Sequence, residues 1–306
     1  MQKTVKAPVR FRGVGLHNGR SAVMLVQPAS AEYGIWFRRT DVRGKDPMIP
    51  ALWNRVKDAR LCTLLENSDG VSVSTVEHIM AALAGLGIQN ALIDINGPEV
   101  PILDGSARPF VAGLVDRGLR DLDAPVRALR VLKPVSVYQG DSAAHLLPAK
   151  GLEINFQIEF PDAAIGRQNK TLTMSNGTFV RELADSRTFC RASDVAFMRD
   201  NGLALGGTYD NAVVVDGAAI LSPGGLRHSD EAVRHKMLDA LGDLALAGAP
   251  LLARYEGNRA GHALTNKLLR KLFSDPLAFR METCEGDVAQ KLPGMGVHRS
   301  DLVQVA

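Results

Sequence analysis

The order of strand-like and helix-like segments recurs once along this chain of 306 residues, although the sequence itself shows no internal repeat. Strand-like segments come first, followed by a helix, a β-branched segment and a second helix that ends near Gly118. After the polar stretch at residues 120–130 a similar order begins again. Blocks of strands followed by helices are typical of α+β architecture. We therefore predict two α+β domains of similar plan, over residues 1–122 and 127–306.

The stretch STVEHIMAALAGLG reads as a helix of the first domain. Ser74 and Glu77 fit the Ser-x-x-Glu capping box that begins many helices. Apolar residues recur behind them at helical spacing, and Gly85 and Gly87 supply the end of the helix. We therefore expect a helix that carries Glu77 and His78 in its first turn.

The stretch DEAVRHKMLDALGD predicts a helix at about residues 229–247 in the second domain. Ser229 is placed to cap it, the acidic residues that follow suit the positive end of a helix dipole, and Gly248 lies just past its end. We also expect the earlier segment at residues 176–189 to be mostly helical.

Charge and composition argue against several classes of protein. Apolar residues make up 46% and charged residues 23% of the chain, which is the balance of a soluble globular protein. A net charge of +3, with aromatic residues at 5% and not interleaved with Lys and Arg, argues against a nucleic-acid partner. Three widely separated cysteines, an N-terminus without an apolar core and the lack of a run of about 20 apolar residues favour a cytoplasmic protein without a membrane span.

Three polar residues of the second helix lie four apart: His235, Asp239 and Asp243. This spacing places them on one face over successive turns. A His and an Asp one turn apart can bind a single metal ion, as paired histidines do in HExxH helices. A solvated His–Asp pair is the commoner reason for such spacing, and Asp243 fits either a supporting acceptor or surface charge. The pattern alone leaves both interpretations open.

The first helix adds His78, with Glu77 directly before it. Neighbouring helix residues point about 100° apart, so these two do not bind one ion comfortably. One of them can bind a metal while the other faces the metal-bound water, which is the division of labour in zinc hydrolases. The alternative is that Glu77 only completes the capping box and His78 is a polar residue near a helix end.

Two further histidines lie in glycine-containing segments. His262 begins an apolar-periodic helix and fits a surface residue, a metal ligand or the proton donor that amide hydrolysis needs. His17 lies in GVGLHNG, whose glycines are spaced somewhat like a dinucleotide-binding loop but lead into strand-like residues rather than a helix. We therefore expect His17 to be a turn residue and not a ligand.

Several long motifs of the chain resemble those of one family. They are GVGLHNG, STVEHIMAALAGLGIQNALIDINGPEVPILDGSARPF, SRTF, DEAVRHKMLDALGDL and GHALTNKLL. Their order and spacing are similar to those of the zinc-dependent UDP-3-O-acyl-N-acetylglucosamine deacetylases of bacterial lipid A synthesis. The resemblance runs over nearly the whole chain. It implies two α+β domains packed as a sandwich with a central helix layer, a small insert in each domain and an active site between the domains.

The resemblance also implies an active site. The residues that match the zinc ligands are His78, His235 and Asp239. The residues that match catalytic groups are Glu77 as general base, His262 as general acid, Asp243 as the carboxylate that orients the acid, Thr188 as an oxyanion donor and Lys236 as a nearby cation. The residues that match substrate contacts are Phe160 against the uracil ring, Phe189, and Arg259 and Lys236 near the diphosphate.

The second insert, at about residues 191–216, is implied to form a narrow apolar passage for the acyl chain. The candidates to line it or contact the substrate there are Val195, Leu203, Ala204, Gly207, Tyr209 and Val214. Cys190, Ala204 and Tyr209 depart from residues that are common in the family. These differences concern the preferred acyl length and leave every catalytic match in place.

The implied function is hydrolysis of the N-acetyl group of UDP-3-O-acyl-N-acetylglucosamine, in which a metal-bound water attacks the amide with Glu77 as base and His262 as acid. The implied cofactor is Zn²⁺, with Fe²⁺ chemically suited to the same ligands. The implied partner is a lipid-linked nucleotide sugar, and we expect a monomer. A zinc amidase with another substrate would carry a different insert, and a silent binding protein would lack one of the two proton-transfer residues.

Overall fold

The computed structural model describes residues 1–302, which form two larger sheets, three small sheets and a set of helices. The first larger sheet has the strand order β2–β3–β9–β4–β5, with β2 (Val9–Val14), β3 (Ser21–Pro28), β9 (Ala91–Ile95), β4 (Ile35–Arg39) and β5 (Met48–Pro50). The second has the order β12–β13–β19–β11–β20, with β12 (Val135–Gln139), β13 (Ser142–Pro148), β19 (Leu251–Asn258), β11 (Arg127–Val131) and β20 (Phe279–Thr283). It is extended by β14 (Glu153–Glu159), which pairs with β19, and β15 (Arg167–Thr173).

Two of the small sheets are inserts, one in each half of the chain, as expected. The first insert consists of β6 (Val56–Asp58), β7 (Leu64–Glu66) and β8 (Ser72–Val73). The second consists of β16 (Phe189–Arg191), β17 (Val213–Asp216) and β18 (Ala219–Ile220). The third small sheet pairs β1 (Lys3–Val5) with β10 (Leu119–Asp121). The limits predicted for the domains stay a prediction, although β10 ends at residue 121 and β11 begins at residue 127.

The helices within residues 1–302 are α1 (Glu77–Gly85), α2 (Arg108–Arg117), α3 (Thr178–Glu182), α4 (Ala192–Asp200), α5 (Glu231–Ala245), α6 (His262–Phe273) and α7 (Gly286–Gln290), with 3₁₀ turns at Trp53–Arg55 and Arg299–Asp301. Helices α1 and α5 pack on each other and share one hydrophobic core with inward-facing residues of both larger sheets, such as Phe37 and Tyr255. Helix α1 is buried on nearly every side, as a helix between two layers must be. The predicted α+β fold with a central helix layer is confirmed.

The capping box predicted at the start of α1 is wrong. The helix begins at Glu77 with Val76 before it, and no side chain caps its first turn. The hydroxyl of Ser74 donates instead to the carbonyl oxygen of Pro98, at 3.2 Å. The carboxylate of Glu77 turns away from Ser74 because it accepts a hydrogen bond from the backbone N–H of Thr63. A tertiary contact has therefore replaced a local one.

The cap predicted for α5 is also wrong, and the helix is shorter at both ends than residues 229–247. It follows Asp230, and Ser229 makes no capping hydrogen bond. The carboxylate of Asp230 does not cap the helix either, because it pairs with Lys170 and Arg234. Gly248 lies past the end of the helix with φ of +82°, as its predicted role at the stop requires.

The segment at residues 176–189 is helical only in α3, contrary to the prediction. A buried ion pair holds the later part of this segment in a non-helical conformation. Glu231 accepts hydrogen bonds from the backbone N–H of Arg187 and from its guanidinium, each at 2.9 Å. An α-helix would have turned that N–H toward the carbonyl oxygen four residues earlier, so the two arrangements exclude each other.

The remaining expectations from composition concern cysteines and membranes. The three cysteines are free thiols in the structure. Among residues 1–302, none of the helices combines the length and the apolar character that crossing a membrane requires.

Candidate metal centre and adjoining passage

Gly242 brings α1 and α5 close enough to share one site. A Cβ atom at Gly242 would lie 2.0 Å from the carbonyl oxygen of Glu77, a separation that no real side chain shows. The lack of a side chain therefore allows the first turn of α1 to rest on the middle of α5. Glu77 and His78 are thereby placed against the polar face of α5.

Three buried side chains meet where these helices touch. Nε2 of His78 lies 3.6 Å from Oδ1 of Asp239, and Nε2 of His235 lies 3.3 Å from the same atom. One ligand atom from each residue lies within 4.8 Å of the others. Oδ1 of Asp239 is enclosed yet has no hydrogen-bond partner among the described residues. An unpaired carboxylate oxygen facing two imidazole nitrogens fits a divalent cation held by two His and one Asp.

The electrostatics of this cluster favour the forms that bind metal. Burial lowers the pKa of His235 to about 4, and its Nδ1–H donates to the carbonyl oxygen of Ser186 at 3.0 Å. Nε2 of the neutral ring is therefore left free. Burial alone would raise the pKa of Asp239, but the neighbouring His235 and Lys236 hold that pKa well below its ordinary range. A neutral imidazole and an ionised carboxylate are ligand forms.

Glu77 lies beside the cluster without joining it. Its Oε2 accepts the hydrogen bond from Thr63 at 3.1 Å, and its Oε1 lies 3.9 Å from Nε2 of His262. Burial raises the pKa of Glu77 even though His262 and His78 act in the opposite direction. A carboxylate with a raised pKa is a stronger acceptor for a proton near neutral pH.

His262 forms a buried pair with Asp243. Its Nδ1 lies 2.7 Å from Oδ2 of Asp243, whose Oδ1 accepts a hydrogen bond of 2.6 Å from the hydroxyl of Thr63. Burial alone would lower the pKa of His262, but the charges of Asp243 and Glu77 outweigh it and raise the pKa to about 9. The ring is therefore protonated at neutral pH, with Nε2–H available as a donor.

Lys236 adds a cation to the same cluster. Its Nζ donates to Oδ2 of Asp239 at 2.8 Å, and its side chain lines the cleft in front of the helices. Burial alone would lower the pKa of Lys236, but Asp239 more than offsets burial and raises it. The side chain consequently remains charged beside the predicted metal ligands.

The cleft has a volume of about 530 Å³, and besides Lys236 it is lined by two further predicted substrate contacts, Phe160 and Phe189, and by the predicted oxyanion donor Thr188. The rings of Phe160 and Phe189 meet edge to face, with centroids 5.4 Å apart. Thr188 is held by backbone hydrogen bonds to Gly105 and Val213, each 2.8 Å long. The structure thus brings these three residues together with the histidines and carboxylates.

Arg259, which was predicted to lie near the diphosphate, is not among the residues that line the cleft. Its guanidinium pairs with Glu159 and lies 3.9 Å from Asp141. Arg259 follows β19, and its φ of +48° bends the chain three residues before His262. Arg259 is therefore close to His262 along the sequence, but its side chain forms an ion pair at the surface instead.

An apolar passage of about 270 Å³ adjoins the cleft at Thr188 and Phe189. The residues predicted for this passage that line it are Val195, Ala204, Gly207, Tyr209 and Val214. Leu203 is not among the lining residues, because it belongs to the turn that closes α4, where its N–H donates to the carbonyl oxygen of Met198. Five of the residues predicted for the passage thus lie along it, and they belong to the second insert.

The first half of the chain also contributes to the passage, which the sequence analysis missed. Leu16, His17 and Leu61 line it. His17 lies in a turn as predicted, but its ring nitrogens are buried without hydrogen-bond partners among the described residues, and the ring borders both cleft and passage. Glu99 holds this turn by accepting the backbone N–H of His17 at 2.7 Å. These residues lie far from the second insert in the sequence, so no periodic pattern could predict that they line the same passage.

A separate apolar cavity of about 300 Å³ lies at the other end of α1 and α5, with Trp36, Leu83 and Leu244 among its lining residues. Its lining contains no acidic, basic or histidine side chain. It therefore offers no carboxylate or imidazole to bind a metal, and the candidate site is the cleft.

Comparison with known proteins identifies what this chain is similar to. The model of the LpxC family, described as UDP-3-O-acyl N-acetylglycosamine deacetylase, matches residues 2–274. A UDP-3-O-acyl-N-acetylglucosamine deacetylase of Phenylobacterium zucineum is 49% identical over 289 residues, which is 94% of this chain and 99% of that protein. Proteins of the same name from Actinobacillus succinogenes and Photobacterium profundum are 44% and 42% identical, over 93% and 96% of this chain and 93% and 98% of their own lengths.

Proposed function

The chain belongs to the UDP-3-O-acyl-N-acetylglucosamine deacetylase family, and we propose that it hydrolyses the N-acetyl group of UDP-3-O-acyl-N-acetylglucosamine, releasing acetate, as a step of lipid A biosynthesis. The observation that carries the proposal is the buried cluster of His78, His235 and Asp239, set beside Glu77 and His262 at the entrance of an apolar passage. Metal ligands, two groups for proton transfer and an acyl-sized passage are what this reaction requires.

His78, His235 and Asp239 would hold the metal, which we propose to be Zn²⁺, with Fe²⁺ as the alternative that these ligands also suit. The unpaired Oδ1 of Asp239 supports this assignment, since a buried carboxylate oxygen is rarely left without a partner. When bound, such a cation lowers the pKa of a ligated water to about 7 and polarises the amide carbonyl.

Glu77 is proposed to take the proton of the attacking water at Oε1, the oxygen left free by the hydrogen bond from Thr63 to Oε2. His262 then donates a proton from Nε2 to the departing amine nitrogen. Asp243, bonded to Nδ1, keeps the imidazole charged and fixes its orientation. The raised pKa of each group suits its part, because Glu77 accepts a proton and His262 carries one at neutral pH.

Thr188 and Lys236 are proposed to stabilise the negative charge that develops on the amide oxygen. Both line the cleft, and Lys236 is charged and anchored by Asp239. A fixed donor aimed at a developing oxyanion is typically worth about 10²–10³ in rate.

The passage is proposed to bind the acyl chain. Each methylene removed from water contributes about 0.8 kcal/mol, so a chain of ordinary fatty-acyl length distinguishes the acylated substrate from free UDP-N-acetylglucosamine even after the entropic costs of binding. Phe160 in the cleft and Phe189 at the junction of cleft and passage are proposed to contact the uridine and the sugar. Arg259 must leave Glu159 if it is to reach the diphosphate.

Incubation of the purified protein with UDP-3-O-acyl-N-acetylglucosamine tests the proposal. We expect acetate release that a chelator suppresses and that added Zn²⁺ restores. Glu77→Gln should keep its metal, measured by elemental analysis, but lose most of its turnover, because the amide cannot accept a proton. Binding of the substrate without acetate release by the metal-loaded protein would favour the alternative of a silent nucleotide-sugar binder.

A further inference from the structure

Thr63 makes hydrogen bonds both to the proposed base and to the carboxylate that holds the proposed acid. Its backbone N–H donates to Oε2 of Glu77 at 3.1 Å, and its hydroxyl donates to Oδ1 of Asp243 at 2.6 Å. Asp243 in turn accepts from His262 through its other oxygen. We infer that Thr63 is a positioning residue that sets the base and the acid relative to each other, an inference that rests on the proposed function.

The location of Thr63 makes this link more than local. It lies immediately before β7 in the first insert, whereas Asp243 lies on α5, 180 residues further along the chain. Thr63 is itself 1% exposed, and its carbonyl oxygen accepts the N–H of Val76, the residue before α1. One buried residue of the first half therefore orients groups on both helices of the central layer.

The hydroxyl has a specific task that no other described donor takes over. With it, each oxygen of Asp243 has one donor: Thr63 on Oδ1 and His262 on Oδ2. Without it, Oδ1 becomes a buried acceptor with no partner, and the carboxylate is free to turn about its Cβ–Cγ bond. Nδ1–H of His262 then loses a fixed acceptor, and Nε2 loses its alignment with the departing nitrogen.

The experiment separates the hydroxyl from the rest of the residue. Thr63→Val keeps the shape and the backbone N–H that holds Glu77, but lacks the donor. We expect kcat to fall by about 10- to 100-fold, the usual cost of losing an outer hydrogen-bond partner at such sites, with KM and metal content unchanged. Thr63→Ser keeps the donor and should restore turnover. If Thr63→Val unfolds, Thr63→Ala, which cannot clash, is measured in the same way.

A second measurement does not depend on turnover. The Nδ1 proton of His262, bonded to Asp243, should give a low-field ¹H resonance that disappears in His262→Gln, in metal-loaded and metal-free protein alike. It should persist in Thr63→Ser and be lost or shifted in Thr63→Val. Thr4→Val is the matched control, because it removes an equally buried hydroxyl, in β1, that accepts the backbone N–H of Ala29 instead.

Three results would overturn the inference: wild-type kcat in Thr63→Val, equal loss in Thr63→Ser and Thr63→Val, or an unchanged resonance in Thr63→Val. Failure of the wild-type protein to release acetate would instead contradict the proposed function. The resonance would still decide whether Thr63 orients Asp243 and His262, so the two failures are distinguishable.

Discussion

In most proteins charged side chains are exposed and large apolar side chains are buried. The cleft and the passage each depart from this rule, but in opposite ways. In the cleft, charged and titratable side chains are buried: Glu77, His78, His235, Asp239, Asp243 and His262 are each less than 9% exposed. Around the passage, large apolar side chains are exposed, including Leu61 at 50% and Tyr209 at 52%. Both arrangements cost stability, and proteins retain such features chiefly where function requires them.

The two regions are also held in place by different means. The buried charges of the cleft have specific partners, so the loss of one atom leaves another unpaired. Gly242 sets the separation of α1 and α5, the two helices that carry most of these charges. The passage lies largely against α4, which buries none of its residues, and a small three-stranded sheet. We therefore expect changes in the cleft to act abruptly and changes in the passage to act in proportion to the apolar area lost.

Asp239→Asn should have the largest effect. It removes a proposed ligand and leaves the ammonium of Lys236 without its charged partner, and breaking a buried pair costs about 3–5 kcal/mol. We expect little bound metal by elemental analysis and no measurable acetate release. Asp200→Asn, at the exposed end of α4, is the control and should keep its metal. A stoichiometric metal content in Asp239→Asn would remove this residue from the ligand set.

His262→Gln should lower kcat by about 10²–10⁴, the usual contribution of a general acid. It should also change the pH profile. The folded-state pKa of His262 is raised to about 9, above the ordinary 6.5, so the protonated donor persists through neutral pH and is lost as pH rises toward 9. A bound cation will lower that value. The wild-type profile should therefore fall on the alkaline side, and His262→Gln should lack this fall; an unchanged alkaline limb would contradict the role.

Gly242→Ala should affect stability and activity together. Its Cβ would meet the carbonyl oxygen of Glu77 at 2.0 Å, so α1 and α5 must move apart, and such overpacking typically costs about 1–3 kcal/mol. Urea unfolding should give a lower midpoint, and kcat should fall because Glu77 shifts with its helix. Gly151→Ala, where nothing lies within 4 Å of the added carbon, is the control. Equal stability of both variants would mean that the helices can separate freely.

Val214→Phe should have the smallest and most graded effect. The larger ring occupies part of the passage, and each methylene that can no longer be buried costs about 0.8 kcal/mol. Loss of about two methylenes would lower kcat/KM roughly tenfold for a long acyl chain and leave a short-chain substrate unaffected. A series of acyl lengths measures this directly. An equal loss for every length would show that the change had disturbed the cleft instead.

Local sequence patterns predicted the elements better than their ends. Strand β3 lies where strand-like residues follow GVGLHNG, and helix α2 ends at the glycine predicted to stop it, Gly118. These predictions were correct because each signal depends only on the residues of its own segment. The caps at Ser74 and Ser229 failed because Glu77 and Asp230 have partners elsewhere in the fold. A tertiary contact also keeps the later part of residues 176–189 out of a helix, because Glu231 holds the backbone of Arg187.

For the candidate site, the sequence by itself determined that His235, Asp239 and Asp243 share one face of a helix, because their spacing matches the helical repeat. The sequence could not decide whether this face is exposed to solvent or buried within a cluster of side chains. The tertiary structure decided that, since the glycine at position 242 admits Glu77 and His78 of α1 to the same face. Burial lowers the pKa of both His235 and His262, but the charges of Asp243 and Glu77 raise the pKa of His262 far above that of His235. Thr63 and Leu61 likewise contribute to the site through contacts with residues far away in the sequence, which no periodic pattern predicts.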